Sequence, residues 1–164
     1  RRGPAALQAG DLEHRPGRRA DVLARMLAEA GIRAKPAKSP WTDLYRRLRR
    51  GEVGFYFGGV VAPTADSSDI LDGYVHTRDE ATGYGASNHS RYSNARADAL
   101  IESASTSFSL VKRRELLQRA MRVVMDDRRF VPVAGLYQVN GVGKGIRFKP
   151  RLDLKLLGRE ISKP

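Results

Sequence analysis

Cysteine is absent from the 164 residues, which excludes both a disulfide framework and a thiolate metal site. That absence fits an exported protein without requiring one. Histidine is scarce as well. His14, His76 and His89 share no spacing that would build a metal cage, so each is expected at the surface or in a hydrogen bond. No stretch approaches the length of a membrane helix, and Arg1–Gly10 lacks the apolar core of a signal peptide. There is no internal repeat, no G-x-S-x-G elbow and no nucleophile beside a plausible base, so neither an enzyme nor a cofactor is expected. Gly141-Val142-Gly143-Lys144-Gly145 has the look of a phosphate loop. It lacks the four-residue gap between glycines and the Ser or Thr after the lysine, and is expected to be a turn between strands.

Acidic residues are the minority charge, 18 against 30 Lys and Arg, for a formal net charge of +12. The excess is concentrated early, with 13 basic and 5 acidic side chains in the first 50 residues. Such a surplus raises affinity for any polyanion. A basic nucleic-acid-binding domain using the Arg46–Arg50 segment is therefore the alternative reading. Against it, those arginines are not interleaved with stacking aromatics and no nucleic-acid motif is present, so no nucleic-acid partner is expected.

With 41% apolar residues, the chain is long enough for one ordinary domain with a real core. Residues 1–17, broken by Gly3-Pro4, Gly10 and Pro16-Gly17, are expected to form a lead-in or loop. From Arg19 the apolar residues Leu23, Met26, Leu27 and Ala30 recur at helical spacing, and Gly31 supplies a stop. Ile32–Pro36 then alternates as a short strand would. Trp41, Leu44, Tyr45 and Leu48 form the apolar stripe of a second helix that ends at Gly51. Val53–Phe57 is expected to be a buried strand, with Tyr56 facing away from Phe55 and Phe57. Strand, helix and strand at this spacing predict a parallel βαβ unit.

A long irregular segment, Gly58–Gly85, follows, with one helical turn near Ser68–Tyr74; such loops are usually functional or mobile. A helix carrying Ala97, Leu100, Ile101 and Ala104 comes next, capped by Ser93 or Asn94. A longer one, about Leu110–Met125, buries Leu116, Leu117, Ala120, Val123 and Val124. Phe130–Tyr137 is expected to return as a strand, and Gly145–Leu157 to supply one or two more.

Several segments in this order carry a family likeness. Gly31-Ile32, Pro40-Trp41 and Arg49-Arg50-Gly51-Glu52 resemble a "G-I-x-V, strand, P-W, helix, R-L-R-x-G-E-F-D" pattern. Arg91-Tyr92-Ser93-Asn94 to Ile101-Glu102 is similar to "R-Y-S-N-P-E-V-D-A-L-I-E". Lys112-Arg113-Arg114 to Val131-Pro132-Val133 resembles "K-R-x-x-L-x-x-A-x-x-I-x-x-D-x-P-V-I-P-L", and Gly145–Arg151 resembles "G-L-x-F-x-P-R". Together they cover most of residues 18–161. The chain resembles the C-terminal lobe of an extracellular solute-binding protein of the dipeptide/oligopeptide/nickel class (family 5) of ABC importers.

This resemblance implies an α/β fold, a single lobe of a two-lobed periplasmic-binding-protein fold (type II, cluster C-like), with a mixed sheet flanked by helices. Residues 18–137 would be the C-terminal solute-binding lobe, and residues 138–164 tail strands returning towards the other lobe. The implied function is the substrate-binding component of an importer, this chain forming one wall of the ligand cleft. The implied partners are a small peptide-like or acceptor-rich solute, the missing N-terminal lobe of the same protein, and an ABC permease in the membrane. A periplasmic or extracytoplasmic location, membrane-associated through the transporter, goes with them. Ligand-facing candidates are Gly58, Gly59, Val60, Val61, Ala62, Pro63, His89, Arg91 and Tyr92. Arg91 and Tyr92 precede a helix N-terminus, where donors favour an anionic group. Val60 stands where many relatives carry tryptophan, and Pro63 falls near the acid of the peptide-binding relatives. The roles of Asp66 and His76 are left open by the sequence.

Overall fold

The computed structural model describes residues 5–11, 16–135 and 139–163, and it divides into two compact units, Arg1–Val60 and Val61–Pro164.

The first unit is a three-stranded parallel sheet with two helices. Its strands are β1 (Ala5–Asp11), β2 (Ala34–Pro40) and β3 (Tyr56–Phe57), and β1 lies in the middle. It pairs with β2 along its whole length, Ala5 opposite Ala34 to Asp11 opposite Pro40, and with β3 through Gln8 and Ala9. The expected lead-in is thus the central strand for Ala5–Asp11. A segment reading Ala-Ala-Leu-Gln-Ala-Gly-Asp has little β-propensity of its own, and pairing on both edges is what makes it a strand. The expected βαβ unit changes accordingly: β2 and β3 are parallel but do not touch, because β1 stands between them.

Helices α1 (Pro16–Glu29) and α2 (Trp41–Arg50) both stop on left-handed glycines, Gly31 at φ 79° and Gly51 at φ 72°, a conformation glycine adopts without steric cost. In α1 the packed residues are Ala20 and Leu23, which meet Ala34 and Phe57. Met26, expected inside, is 58% exposed. The helix contributes a narrower stripe than its periodicity suggested. Leu44 and Leu48 of α2 are buried with Val53, and Trp41 and Tyr56 pack against them. Tyr56 and Phe57 therefore serve two different apolar clusters, as consecutive strand residues must. Phe55 is 42% exposed, so the strand is shorter than the apolar run.

The second unit is mainly helical. A short turn, α3 (Ser68–Ile70), widens into a π-helical stretch at Leu71–Val75. It is followed by α4 (Ala95–Ser105) and α5 (Leu110–Asp126). The core joins Leu71, Val75 and Tyr92 to Ala97, Leu100, Ile101 and Ala104 of α4 and to Leu116, Leu117, Ala120 and Val124 of α5. The α4 and α5 residues are those that helical spacing selects, except that Val123 is only partly buried. Side-chain caps close both N-termini: Asn94 accepts from the amides of Arg96 and Ala97, and Ser109 from that of Lys112. A cap of this kind stabilises a helix by about 1 kcal/mol.

Residues 130–135 form no strand, and Val131 and Val133 are exposed. The rest of the expected Phe130–Tyr137 strand lies outside the described residues. An extended apolar sequence becomes a strand only when a neighbour takes up its hydrogen bonds, and none among the described residues pairs with it. Further on, β4 (Arg147–Phe148) and β5 (Ile161–Ser162) pair antiparallel, after a turn at Gly143–Ile146. Parallel and antiparallel pairings thus both occur, in separate sheets. No described helix is long and apolar enough to cross a membrane.

Candidate functional site

The segment Gly73–Asn94 has almost no regular structure, yet it is held at many points. Asn88 is the centre. It is 5% exposed, and its amide nitrogen donates to the carbonyls of His76 at 2.9 Å, Tyr92 at 2.7 Å and Val75 at 3.4 Å. Its carbonyl oxygen accepts from the Tyr92 amide at 3.1 Å and the Ser90 hydroxyl at 2.9 Å. A buried side-chain amide with both ends satisfied fixes the path of the chain between the π-helical stretch and α4.

Tyr92, expected to face a ligand, is 3% exposed and belongs to the core. Its ring meets Phe130 edge-on, with centroids 6.1 Å apart. Its hydroxyl donates to Asp127 Oδ2 at 2.6 Å, and the Asn94 side chain donates to the same oxygen at 2.8 Å. Burial, followed by the Asp127 carboxylate, raises the Tyr92 pKa above its ordinary value. The donated bonds from Tyr92 and Asn94 lower that of Asp127. Sequence reasoning missed Asn88 and Asp127. The spacing Asn88-x-Ser90-x-Tyr92 is the available signal, since an Asn side chain readily accepts from donors two residues on.

His89 is half-buried, and Arg91 is exposed. Arg91 takes φ 53°, a left-handed conformation that costs a non-glycine residue roughly 1–2 kcal/mol. The Asn88 and Tyr92 anchors on either side hold it there.

His76 is 4% exposed. Its ring stacks on Tyr84 at 4.2 Å, and its nitrogens lie 2.7 Å from the Thr77 carbonyl and 3.0 Å from Glu102 Oε1. Beside it, Asp98 accepts from both the Thr77 amide and hydroxyl. These groups fasten the irregular segment to α4 and leave His76 no solvent face.

Gly58, Gly59, Val60, Val61 and Pro63 are exposed and Ala62 is half-buried. The part in the second unit is tightly tied. Ala65 donates its amide to the Ala62 carbonyl at 3.0 Å, and Thr64 donates through both amide and hydroxyl to Asp69. Asp66 accepts from the Ser68 amide at 2.9 Å and from Arg113 at 3.0 Å. Its pKa is lowered by the Ser68 amide first and Arg113 after it. Nearby Asp72 moves the other way, raised by burial. Ala65 sits at φ 59°. Ala65→Gly is expected to stabilise the protein by about 0.5–1 kcal/mol, read as a higher urea midpoint; a lower midpoint would contradict the assigned backbone.

Pro63 also lines a surface pocket of about 410 Å³ with Lys149, Pro150, Arg151, Leu152, Asp153 and Glu160. Arg151 donates in bidentate fashion to Asp153 at 2.8 and 2.7 Å, and to Glu160 at 2.8 Å. The Asp153 carboxyl is consequently held well below the usual carboxylate range. This arginine is occupied by the protein's own acids. Among the described residues no group of His, Asp and Glu could hold a metal ion, and His14 lies outside them.

No protein-family model matches the chain. Among curated proteins it is 26% identical over 119 residues to heme-binding protein A of Haemophilus influenzae, and 28% identical over 123 residues to a probable di/tripeptide-binding protein 5 of Pseudomonas aeruginosa. These matches cover 73% and 75% of this chain. The chain spans only 21% and 23% of those relatives' length. Its fold matches HbpA2 from Haemophilus parasuis with a TM-score of 0.73 and 20% identity, over 98% of this chain and 32% of that one. The chain thus carries part of the HbpA2 fold. A second likeness is to the ABC transporter-associated periplasmic binding protein DppA from Helicobacter pylori, solved with the peptide STSA. There the TM-score is 0.68 at 22% identity, over 79% of this chain and 25% of that one.

The nucleic-acid alternative finds no support in these relatives, which are binding proteins for other ligands. The arginines that motivated it are partly engaged locally: Arg46 pairs with Asp43 at 3.3 Å, and Arg47 and Arg50 each lie 3.7 Å from Glu52.

The depressed carboxylates set an acid limit on stability. Asp127 and Asp66 have lower pKa values folded than unfolded, so their contribution is complete above the unfolded carboxylate value of about 3.9 and fades as pH falls below it. Asp72, raised by burial, acts in the opposite sense. The melting temperature is expected to be flat above about pH 5 and to fall below about pH 4. Asp127→Asn should make that acid slope shallower, and an unchanged slope in calorimetric melts would remove Asp127 from the account.

Proposed function

We propose that this chain is part of the substrate-binding component of an ABC importer and forms one wall of its ligand cleft. The observation that carries this reading is the match to named binding proteins over about three quarters of the chain, with the HbpA2 fold covering 98% of it. The residues proposed to face solute are His89 and Arg91, with Tyr92 holding Arg91 in place, and the loop Gly58, Gly59, Val60, Val61, Ala62 and Pro63. The reading is one of binding and not catalysis, since the curated relatives are named as binding proteins. A second lobe, a membrane permease and a periplasmic setting belong to the same proposal. So does the division of the chain into a solute-binding lobe at residues 18–137 and tail strands at 138–164.

Within that reading, the ligand is not gripped by an ammonium–carboxylate pair from this loop. Pro63 offers neither charge nor a backbone donor, and Asp66 is already engaged by Arg113 and Ser68. A buried ammonium without a partner would carry a desolvation cost of several kcal/mol. An acceptor-rich or anionic solute suits Arg91 better. Thermal-shift screening of the two-lobed protein tests this. Stabilisation by anionic or acceptor-rich solutes that is lost in Arg91→Ala is the expected result; stabilisation by simple dipeptides, abolished by blocking their amino terminus, would overturn the ligand class. Failure to bind any solute would remove the transport reading itself.

A further inference from the structure

The turn between α4 and α5 and the first two residues of α5 carry apolar side chains that the fold does not use. Phe108 is fully exposed, and Leu110 and Val111 are 78% and 70% exposed. A connection between two helices is ordinarily polar, because apolar surface left in water contributes nothing to folding. This one is also firmly built. The Ser107 amide donates to the Ala104 carbonyl, the Arg113 amide to the Ser109 carbonyl at 2.8 Å, and the Arg113 guanidinium reaches the Ala104 carbonyl at 3.0 Å. The three side chains are therefore presented on a fixed corner.

Next to that corner, the solvent face of α5 is cationic. Lys112, Arg114, Arg119 and Arg122 are all exposed, and none has a carboxylate in ion-pair reach among the described residues. Only Glu115 opposes them before Asp126. Val111, Arg114, Gln118 and Arg122 recur at three- and four-residue spacing and so share one stripe, with Lys112, Glu115 and Arg119 forming the neighbouring one. The apolar tip and the cationic face are contiguous.

We propose that this corner is a docking surface for an anionic phospholipid membrane. Phe108, Leu110 and Val111 would enter the boundary between headgroups and acyl chains, while Lys112, Arg114, Arg119 and Arg122 meet the phosphates. Charge complementarity selects this partner. An apolar tip alone would fit many surfaces, but a tip flanked by a helix face with four cations and one acid fits one whose apolar layer lies beneath negative charge. Guanidinium groups are particularly suited to phosphate oxygens.

The test is co-sedimentation of the full chain with phosphatidylcholine vesicles, with and without phosphatidylglycerol. Binding is expected only to the anionic vesicles and should weaken in high salt. Phe108→Ser combined with Leu110→Ser and Val111→Ser, and separately Lys112→Glu with Arg114→Glu and Arg119→Glu, should each reduce binding about tenfold or more. Because all these residues are exposed, the melting temperature should stay near that of the parent, which separates lost docking from lost folding. Equal binding to neutral vesicles, or retention of binding in both variants, would overturn the proposal. So would concentration-dependent self-association in sedimentation velocity that the Phe108→Ser variant abolishes, since the corner would then be a contact between copies.

Discussion

Replacing Asn88 by alanine is expected to destabilise the second unit by about 3 kcal/mol, because it strands the buried carbonyls of His76 and Tyr92 and the Tyr92 amide in one step. An unsatisfied buried polar group costs about 1–3 kcal/mol. The full sum is not reached because water can enter part of the vacated volume. In a domain of this size the change corresponds to a melting temperature lower by about 10 °C or more. Asn88→Asp is the sharper test. It keeps the oxygen that accepts from Tyr92 and Ser90, but turns a carboxylate oxygen towards three carbonyls, so it should be at least as damaging as alanine. If either variant melted within about 2 °C of the parent, the central role of this side chain would be wrong.

Gly85→Ala should be comparably severe for a different reason. Gly85 has φ 64°, and a Cβ there would lie 2.4 Å from the His76 carbonyl oxygen and 2.7 Å from both the Arg78 nitrogen and Cα. These are backbone atoms and cannot swing away. The left-handed penalty of about 1–2 kcal/mol is joined by an overpacking cost of about 1–3 kcal/mol, giving about 4 kcal/mol together. Gly83 provides the control. It has φ 81°, and a Cβ added there would meet nothing within 4 Å, so Gly83→Ala should show the conformational penalty alone. Equal urea midpoints for the two variants would mean that the contact between Gly85 and the 76–78 backbone is not as described.

The helical half of the protein could be read from its sequence because its signals are local. Ala97, Leu100, Ile101 and Ala104 repeat with the helix period, and Asn94 stands where a cap must stand. All are where that logic puts them. The strand Ala5–Asp11 was not legible, since its identity depends on partners that lie later in the chain and not on its own alanines and glycine. Val131-Pro132-Val133 failed in the reverse sense: its propensity is that of a strand, but no described neighbour receives it. At the candidate site, the Arg91–Asn94 run was recognisable from its likeness to the family pattern. Its division of labour was not, because whether an aromatic such as Tyr92 points to solvent or to the core is decided by Phe130 and Asp127, more than thirty residues away.

The anchoring of the irregular segment has a consequence for its motions. Besides the bonds to Asn88, the amides of Gly85 and Ser87 donate at 2.8 Å to the carbonyls of Asp72 and Gly73 in the π-helical stretch. Such amides cannot exchange with deuterium by fraying of the loop, since releasing one requires the buried Asn88 cluster to open as well. In a hydrogen-exchange experiment Gly85, Ser87 and Tyr92 should be protected nearly as long as the amides of α4, so that a stretch of chain without helix or strand reports the global opening of its unit.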